Sequence, residues 1–189
     1  MNIDEILARI EIIENKLDLF AKHIEVLEKR STKFSDKFKF GRFKFVKLSD
    51  EKMKLIRNFT NKLYNASRYL MLNESKFEDL SKINPTTKLG IYMKSRFYAC
   101  VNQVRENIDV YRFNDAATAL YKFLWDEFCD WGIELSKADK TSVRELGAIF
   151  KEAMRLLNPF MPFISESLYQ ELSGTSLENG AESIMISPY

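Results

Sequence analysis

YRFNDAATALYKFLWDEFCDW, residues 111–131, decides the fold class. Ala117, Leu120, Leu124, Phe128 and Trp131, continued by Leu135, recur at spacings of three and four, which is the repeat of one buried helix face. Upstream, Arg112-Phe113-Asn114 interrupts the preceding pattern, and Asn114 has the side chain of a helix N-cap. The stretch therefore predicts a long helix with Trp125, Phe128 and Trp131 directed inwards.

The same period extends to both sides. Leu89, Met93, Phe97, Cys100, Val104, Ile108 and Tyr111 form the apolar line of a helix expected to begin at Asn84-Pro85, with proline at its first position. Helices follow from about Thr141, through Val143, Leu146, Phe150, Met154 and Leu157, and from Asn158-Pro159, with Pro159 and Pro162 as start signals, to just before Gly174. A helix over residues 50–72 would bury Met53, Ile56, Phe59, Leu63, Ala66 and Leu70, with Ser49 as its cap and Asp50 and Glu51 in its first turn. Ser183 to Ser187 reads as one short strand. The expected fold is all-α, a helical bundle over residues 49–189.

Two further segments precede the bundle. In residues 1–30, Ile3, Ile6, Ile10, Ile13, Leu17, Phe20, Ile24 and Leu27 form an unbroken heptad seam, with Arg9 and Glu14 placed to pair between parallel strands. This segment is either a self-associating coiled coil or an amphipathic helix folded back on its own bundle. Residues 31–48 contain FKFGRFKF (38–45), a basic-aromatic linker that suits a hairpin turning at Gly41 or an extended strap. Its phenylalanines would pack inwards, leaving Lys39, Arg42 and Lys44 pointing out.

Charge is distributed unevenly along the 189 residues. Residues 31–68 hold eleven Lys/Arg against three Asp/Glu, residues 1–30 hold five against seven, and residues 69–189 hold thirteen against seventeen. Concentrated positive charge suits a polyanion, because each neutralised phosphate releases counterions. The two cysteines, Cys100 and Cys129, lie in apolar helical patterns without metal-ligand spacing, so free buried thiols in a reducing compartment are expected. No apolar run approaches the roughly 18 residues of a membrane span. These features predict a cytoplasmic protein with no membrane partner.

Catalytic signatures are missing from the sequence. His23 is the single histidine and falls at a heptad g position. No phosphate-binding glycine loop, nucleophile elbow or metal cluster is present. Asp126, Glu127 and Asp130 share a helix with Trp125 and Trp131, but without a second group they read as solvated or ion-paired carboxylates.

Four strings occurring in order carry a resemblance: RNFTNKLYNASRYLM (57–71), YRFNDAATALYKFLWDEFCDW (111–131), NPFMPFISESLY (158–169) and ESIMISPY (182–189). Over about residues 44–189 the chain resembles the anticodon-binding domain of bacterial valyl-tRNA synthetases, which are class I aminoacyl-tRNA synthetases. The resemblance implies a bundle that grips the anticodon stem and loop of a transfer RNA, here a valine-specific one, while a separate Rossmann domain performs aminoacylation. His23-Ile24-Glu25-Val26 and Lys52-Met53-Lys54 only echo that domain's nucleotide signatures. An isolated or remodelled piece is thus expected. It would have no cofactor of its own, since ATP would need the missing catalytic domain, and no DNA partner.

The resemblance also implies tRNA-facing residues: Arg57, Asn58, Phe59, Asn61, Lys62, Asn65 and Arg68 in the first matching string, with Arg42 added. Arg57, Asn61, Asn65 and Arg68 recur at spacings of three and four and so share one helix face. Arg and Lys suit phosphates, Asn suits unpaired base edges, and Phe59 could stack on a base or fill the core. Asn65 and Arg68 could equally brace neighbouring helices. Tyr64 stands where the family often has Trp. The family's Gly-Arg-Asp-Ile-Lys-Leu-Ser motif ends at Val46-Lys47-Leu48-Ser49, and its arginine is either Arg42, with two residues inserted, or is replaced at Phe43-Lys44. The rival reading is a non-catalytic scaffold or regulatory module that self-associates through residues 1–30.

Overall fold

The computed structural model describes residue 22 and residues 50–186. The heptad helix with His23, the basic-aromatic linker and Arg42 lie outside the described residues. Two compact units divide the chain, Met1–Asn58 and Phe59–Tyr189. Of the first, Asp50–Asn58 is the opening of helix α1 (Asp50–Asn73), in which Met53 is half-exposed and Ile56 is 47% exposed.

In the second unit, the remaining turns of α1 bury Phe59, Leu63, Ala66 and Leu70, as their spacing requires. Burial of the stripe starts at Phe59, where Tyr121 and Trp125 come against its ring. The expected burial of Ile56 is therefore corrected.

Helix α2 runs Lys88–Asp109, not from Pro85. Its N-cap is Thr87, whose hydroxyl accepts from the Gly90 N–H at 2.9 Å. Proline preceded the true boundary because a buried carboxylate on another helix, Glu145, binds the amides of Thr86 and Thr87 and fixes the start there. Met93, Phe97, Cys100 and Val104 are buried, whereas Ile108 and Tyr111 at the far end are exposed.

Tyr111 closes α2 with a left-handed backbone, φ +59°. Its N–H donates to the Ile108 carbonyl (2.9 Å) and the Arg112 N–H to the Asn107 carbonyl (2.7 Å), the paired bonds of a Schellman closure. Arg112, not Asn114, is then the N-cap of α3 (Phe113–Lys122), with no side-chain capping bond. Asn114 lies inside the first turn because the closure of α2 uses Arg112 as its last residue.

α3 continues without a break into a π-helical segment, Phe123–Ile133, and then into α4, Glu134–Ala138. A π turn bonds i to i+5 and so takes more residues per revolution than an α turn. Leu120, Leu124 and Phe128 are buried as expected, but the next inward positions are Gly132, Ile133 and Ser136 instead of Trp131 and Leu135. Trp131 is 67% exposed and Leu135 50%. Core placement of Trp131 is corrected, and the cause is this slip in winding.

α5 (Val143–Leu157) buries Val143, Leu146, Phe150, Met154 and Leu157, all on the expected line. α2 packs on α3, the π segment and α5. A chain of rings joins these layers: Phe97–Phe123 at 5.7 Å, Phe123–Phe128 at 6.3 Å and Phe128–Phe150 at 5.0 Å between centroids. Burying each such ring stabilises the fold by roughly 1.5–3 kcal/mol.

α6 (Pro162–Ser173) lies along α5 and has Pro162 in its first turn; Pro159 sits in the preceding turn. Gly174 closes α6 at φ +68°, the Thr175 N–H reaching the Gln170 carbonyl at 2.9 Å. Beyond it, Ser183 Oγ and the Ile184 N–H donate to the Glu166 carboxylate, and Gln170 Nε2 donates to the Glu182 carbonyl. Residues 183–186 form a turn held on α6 by these side chains, which corrects the expected strand. The described residues contain no strand, and none of their helices is long and apolar enough to cross a membrane. The fold is all-α, as expected.

Candidate nucleic-acid interface

α1 carries the residues singled out from the sequence. Arg57 and Asn58 are exposed in its first-unit turns. In the second unit Asn61 and Asn65 are exposed and Arg68 is half-exposed, and regular helical winding puts the three on one face. Their amide and guanidinium groups can donate hydrogen bonds to phosphates and base edges.

Phe59 and Lys62 are placed differently. Phe59 is only 6% exposed, its ring 4.9 Å from Tyr121 and 6.2 Å from Trp125. Its location gives packing, one of its two expected roles. Lys62 Nζ lies 2.5 Å from Asp130 Oδ1 and 3.8 Å from the centroid of the Trp125 ring. An ammonium over an indole face gains from the ring quadrupole, and the carboxylate neutralises it from the side. Asp130 is thus an ion-pair residue.

Glu127 has the same kind of role. Arg96 grips it with two bonds, Nε to Oε2 and Nη2 to Oε1, both 2.7 Å, which hold the guanidinium above its usual value. This pair borders a cleft of about 490 Å³ between α2 and α3, lined by Gln103, Asn107, Thr118 and Lys122 among others. Burial pushes the thiols of Cys100 and Cys129 up to about 12. Both are protonated, unreactive packing groups at neutral pH. Among the described residues no group of three or more His, Cys, Asp or Glu is placed to hold a metal ion.

Tyr121, passed over in the sequence, and Trp125, expected in the core but only half-buried, stand beside α1. Tyr121 and Trp125, one turn apart, are half-buried and stack on each other at 5.5 Å with their planes 19° apart. Burial first, then Asp126 and Asp130, raises the Tyr121 hydroxyl above its ordinary value, so it is a neutral phenol. The two rings and buried Phe59 form a cluster in which each ring touches the other two. The sequence signal was the i, i+4 aromatic pair flanking Lys122, which an apolar stripe conceals.

Comparison with known proteins is consistent with this geometry. Residues 91–189 match the family model described as the anticodon-binding domain of tRNA ligase. Valine–tRNA ligase of Campylobacter jejuni (strain RM1221) is 65% identical over 144 residues, 76% of this chain and 16% of that protein. The Wolinella succinogenes valine–tRNA ligase is 56% identical over 169 residues, 88% of this chain and 19% of the relative. That of Geobacter sulfurreducens is 38% identical over 157 residues, 76% and 17% respectively. The chain therefore spans less than a fifth of the length of these relatives. With its family model covering more than half of the sequence and an all-α bundle beneath it, this chain belongs to the anticodon-binding domain family of tRNA ligases.

Proposed function

We propose that the chain binds the anticodon stem and loop of a transfer RNA, valine tRNA by the names of its relatives, and performs no aminoacylation by itself. Family membership carries this reading. The polar face of α1 supports it, since Asn61 and Asn65 are exposed beside half-exposed Arg68. Phosphate contacts would fix the register, and amides and rings would read the unpaired loop bases. The stem itself offers charge and shape.

Binding is tested by fluorescence anisotropy with valine tRNA, an unrelated tRNA and a plain RNA hairpin at several salt concentrations. Preference for valine tRNA, with affinity falling steeply as salt rises, is expected. Equal binding of all three at moderate salt would defeat the specific reading. Alanine at Arg57 and Arg68 should weaken binding and lower the salt slope.

A second reading, a protein-interaction scaffold, draws on Trp131 and Leu135, which lie one turn apart and are more than half or half exposed. Paired exposed apolar side chains of this kind suit a protein partner. Self-association through residues 1–30 belongs to the same reading. Sedimentation across concentration tests the self-association, and a strict monomer excludes that part of the reading.

A further inference from the structure

Opposite the stripe that α2 buries lies a face exposed along the whole helix. Its middle is uncharged, since regular winding brings Tyr92, Ser95, Tyr98, Ala99 and Asn102 together there. Tyr92 is 56% exposed and Tyr98 48%, with Ile91 at 54% beside them. Charge sits at the two ends, with opposite signs. Lys88 is the first residue of α2, and no Asp or Glu occurs between Leu80 and Arg105. Exposed Glu106 and Asp109 close the same face, Asp109 as the last residue.

The domain itself makes no use of these groups. The side chains of Lys88, Tyr92, Ser95, Asn102, Arg105 and Asp109 form no hydrogen bond or ion pair with another described residue. A polyanion does not suit the face, because Glu106 and Asp109 would oppose it. An uncharged, tyrosine-bearing centre with charge at its rim is instead the composition of a protein interface.

A surface positive at one end and negative at the other is complementary to itself turned round. In a two-fold pair of antiparallel α2 helices, residue i of one copy meets residue j of the other, and j meets i. A register centred between Tyr98 and Ala99 sets Lys88 opposite Asp109, Tyr92 opposite Arg105, and Ser95 opposite Asn102. Each of these contacts then occurs twice: an ion pair, a cation over a ring and a hydrogen bond. Glu106 lies one turn from Asp109 and adds to the charge that meets Lys88. Small Ser95 and Ala99 let the helices approach near the axis.

We propose that the outer face of α2 is a self-docking surface, on which a second copy of this chain packs its own α2 antiparallel. Such docking is independent of RNA binding and of residues 1–30. A face one helix wide is small for a stable interface, so the dimer is weak and concentration-dependent.

Sedimentation of the full chain from micromolar to millimolar concentration measures the association. Lys88→Glu and Asp109→Lys should each raise the dissociation constant about tenfold, because the symmetry breaks two pairs at once. Both changes in one chain should return it close to the wild-type value. Circular dichroism melts check folding, and Tyr92→Ser, at an exposed position, should weaken the dimer without relying on either reversal. A mixture of Ser95→Cys and Asn102→Cys chains under mild oxidation should form a disulfide-linked dimer faster than either chain alone. In a single-variant dimer the two new thiols are offset by about 10 Å along the helices, too far for a bridge. The native cysteines are buried and do not interfere.

A chain that stays monomeric throughout would overturn the self-docking surface. So would a dimer that neither the reversals nor Tyr92→Ser weaken, since association would then run through other residues. Mixed cysteine chains that cross-link no faster than the single ones would overturn the antiparallel register.

Discussion

Glu145, on α5, and Thr87, the cap of α2, share a closed set of hydrogen bonds: the Thr87 N–H and hydroxyl both donate to the Glu145 carboxylate, while the Thr87 hydroxyl oxygen accepts from Gly90. Thr86 adds its N–H at 2.6 Å and its hydroxyl at 3.1 Å. A buried negative charge thus sits at the positive end of a 22-residue helix, a placement the helix dipole favours.

Burial alone would raise the Glu145 carboxyl, but the Thr86 and Thr87 donors outweigh it and hold it below the ordinary 4.5. A carboxyl depressed in the folded state contributes stability that is complete above the unfolded value and is lost as pH falls through the folded one. Glu145→Gln should cost about 2 kcal/mol at neutral pH. The gap between variant and wild type should narrow below pH 4.5, read from urea midpoints between pH 3 and 7.

Two glycines mark close approaches that a methyl group would fill. At Gly147 it would overlap the Phe77 ring, and at Gly90 the Glu145 carboxylate. Gly147→Ala should destabilise by about 1–3 kcal/mol. Phe77→Leu in the same chain should recover part of that loss. Thermal melts of the two single variants and the double variant would measure the coupling.

Lys151 is a buried amine whose charge is met by Asp79 Oδ1 at 2.8 Å and the Phe77 carbonyl at 3.2 Å. This bond, more than any other influence, lowers the Asp79 carboxyl, against the effect of burial. Lys151→Met keeps the volume but leaves the Phe77 carbonyl without its donor, and should cost about 1–3 kcal/mol. It should also return Asp79 towards its ordinary value, which NMR titration of the carboxyl would report.

Tyr111 and Gly174 close two helices with the same bonds, at φ +59° and +68°. Only glycine adopts that conformation without steric cost. Tyr111 is 81% exposed, and its ring meets that of Phe113 edge-on at 6.1 Å. Tyr111→Gly should therefore stabilise the domain by about 1 kcal/mol, raising the urea midpoint without changing the slope.

Much of this fold could be read from apolar spacing, and the exceptions have physical reasons. Val143, Leu146, Phe150, Met154 and Leu157 are all buried because α5 is a regular helix covered along its length. Trp131 was misplaced because spacings of three and four assume one winding, and the π segment uses another. Pro85 misled as a helix start because the real boundary depends on Glu145, 58 residues away from Thr87. The turn after Glu182 looked like a strand because its partner is the Glu166 side chain, which local propensity cannot register.

The candidate interface was legible only in outline. Asn61, Asn65 and Arg68 follow from helix geometry. Phe59 and Lys62 fit both an outward and an inward role on spacing, and their placement depends on Tyr121, Trp125 and Asp130, about sixty residues or more along the chain.

The winding of Phe123–Ile133 also sets how this helix responds to a change in length. Gly132 faces the Met93 methyl so closely that no larger residue fits there without movement. Removing a single residue between Leu124 and Gly132 would let the segment rewind as a plain α-helix. Because an α turn takes fewer residues than a π turn, the tighter winding would absorb the missing residue, and Gly132, not Trp131, would keep its place against Met93. In this domain a one-residue deletion inside the segment would thus be absorbed by the winding, and Trp131 would stay on the solvent side.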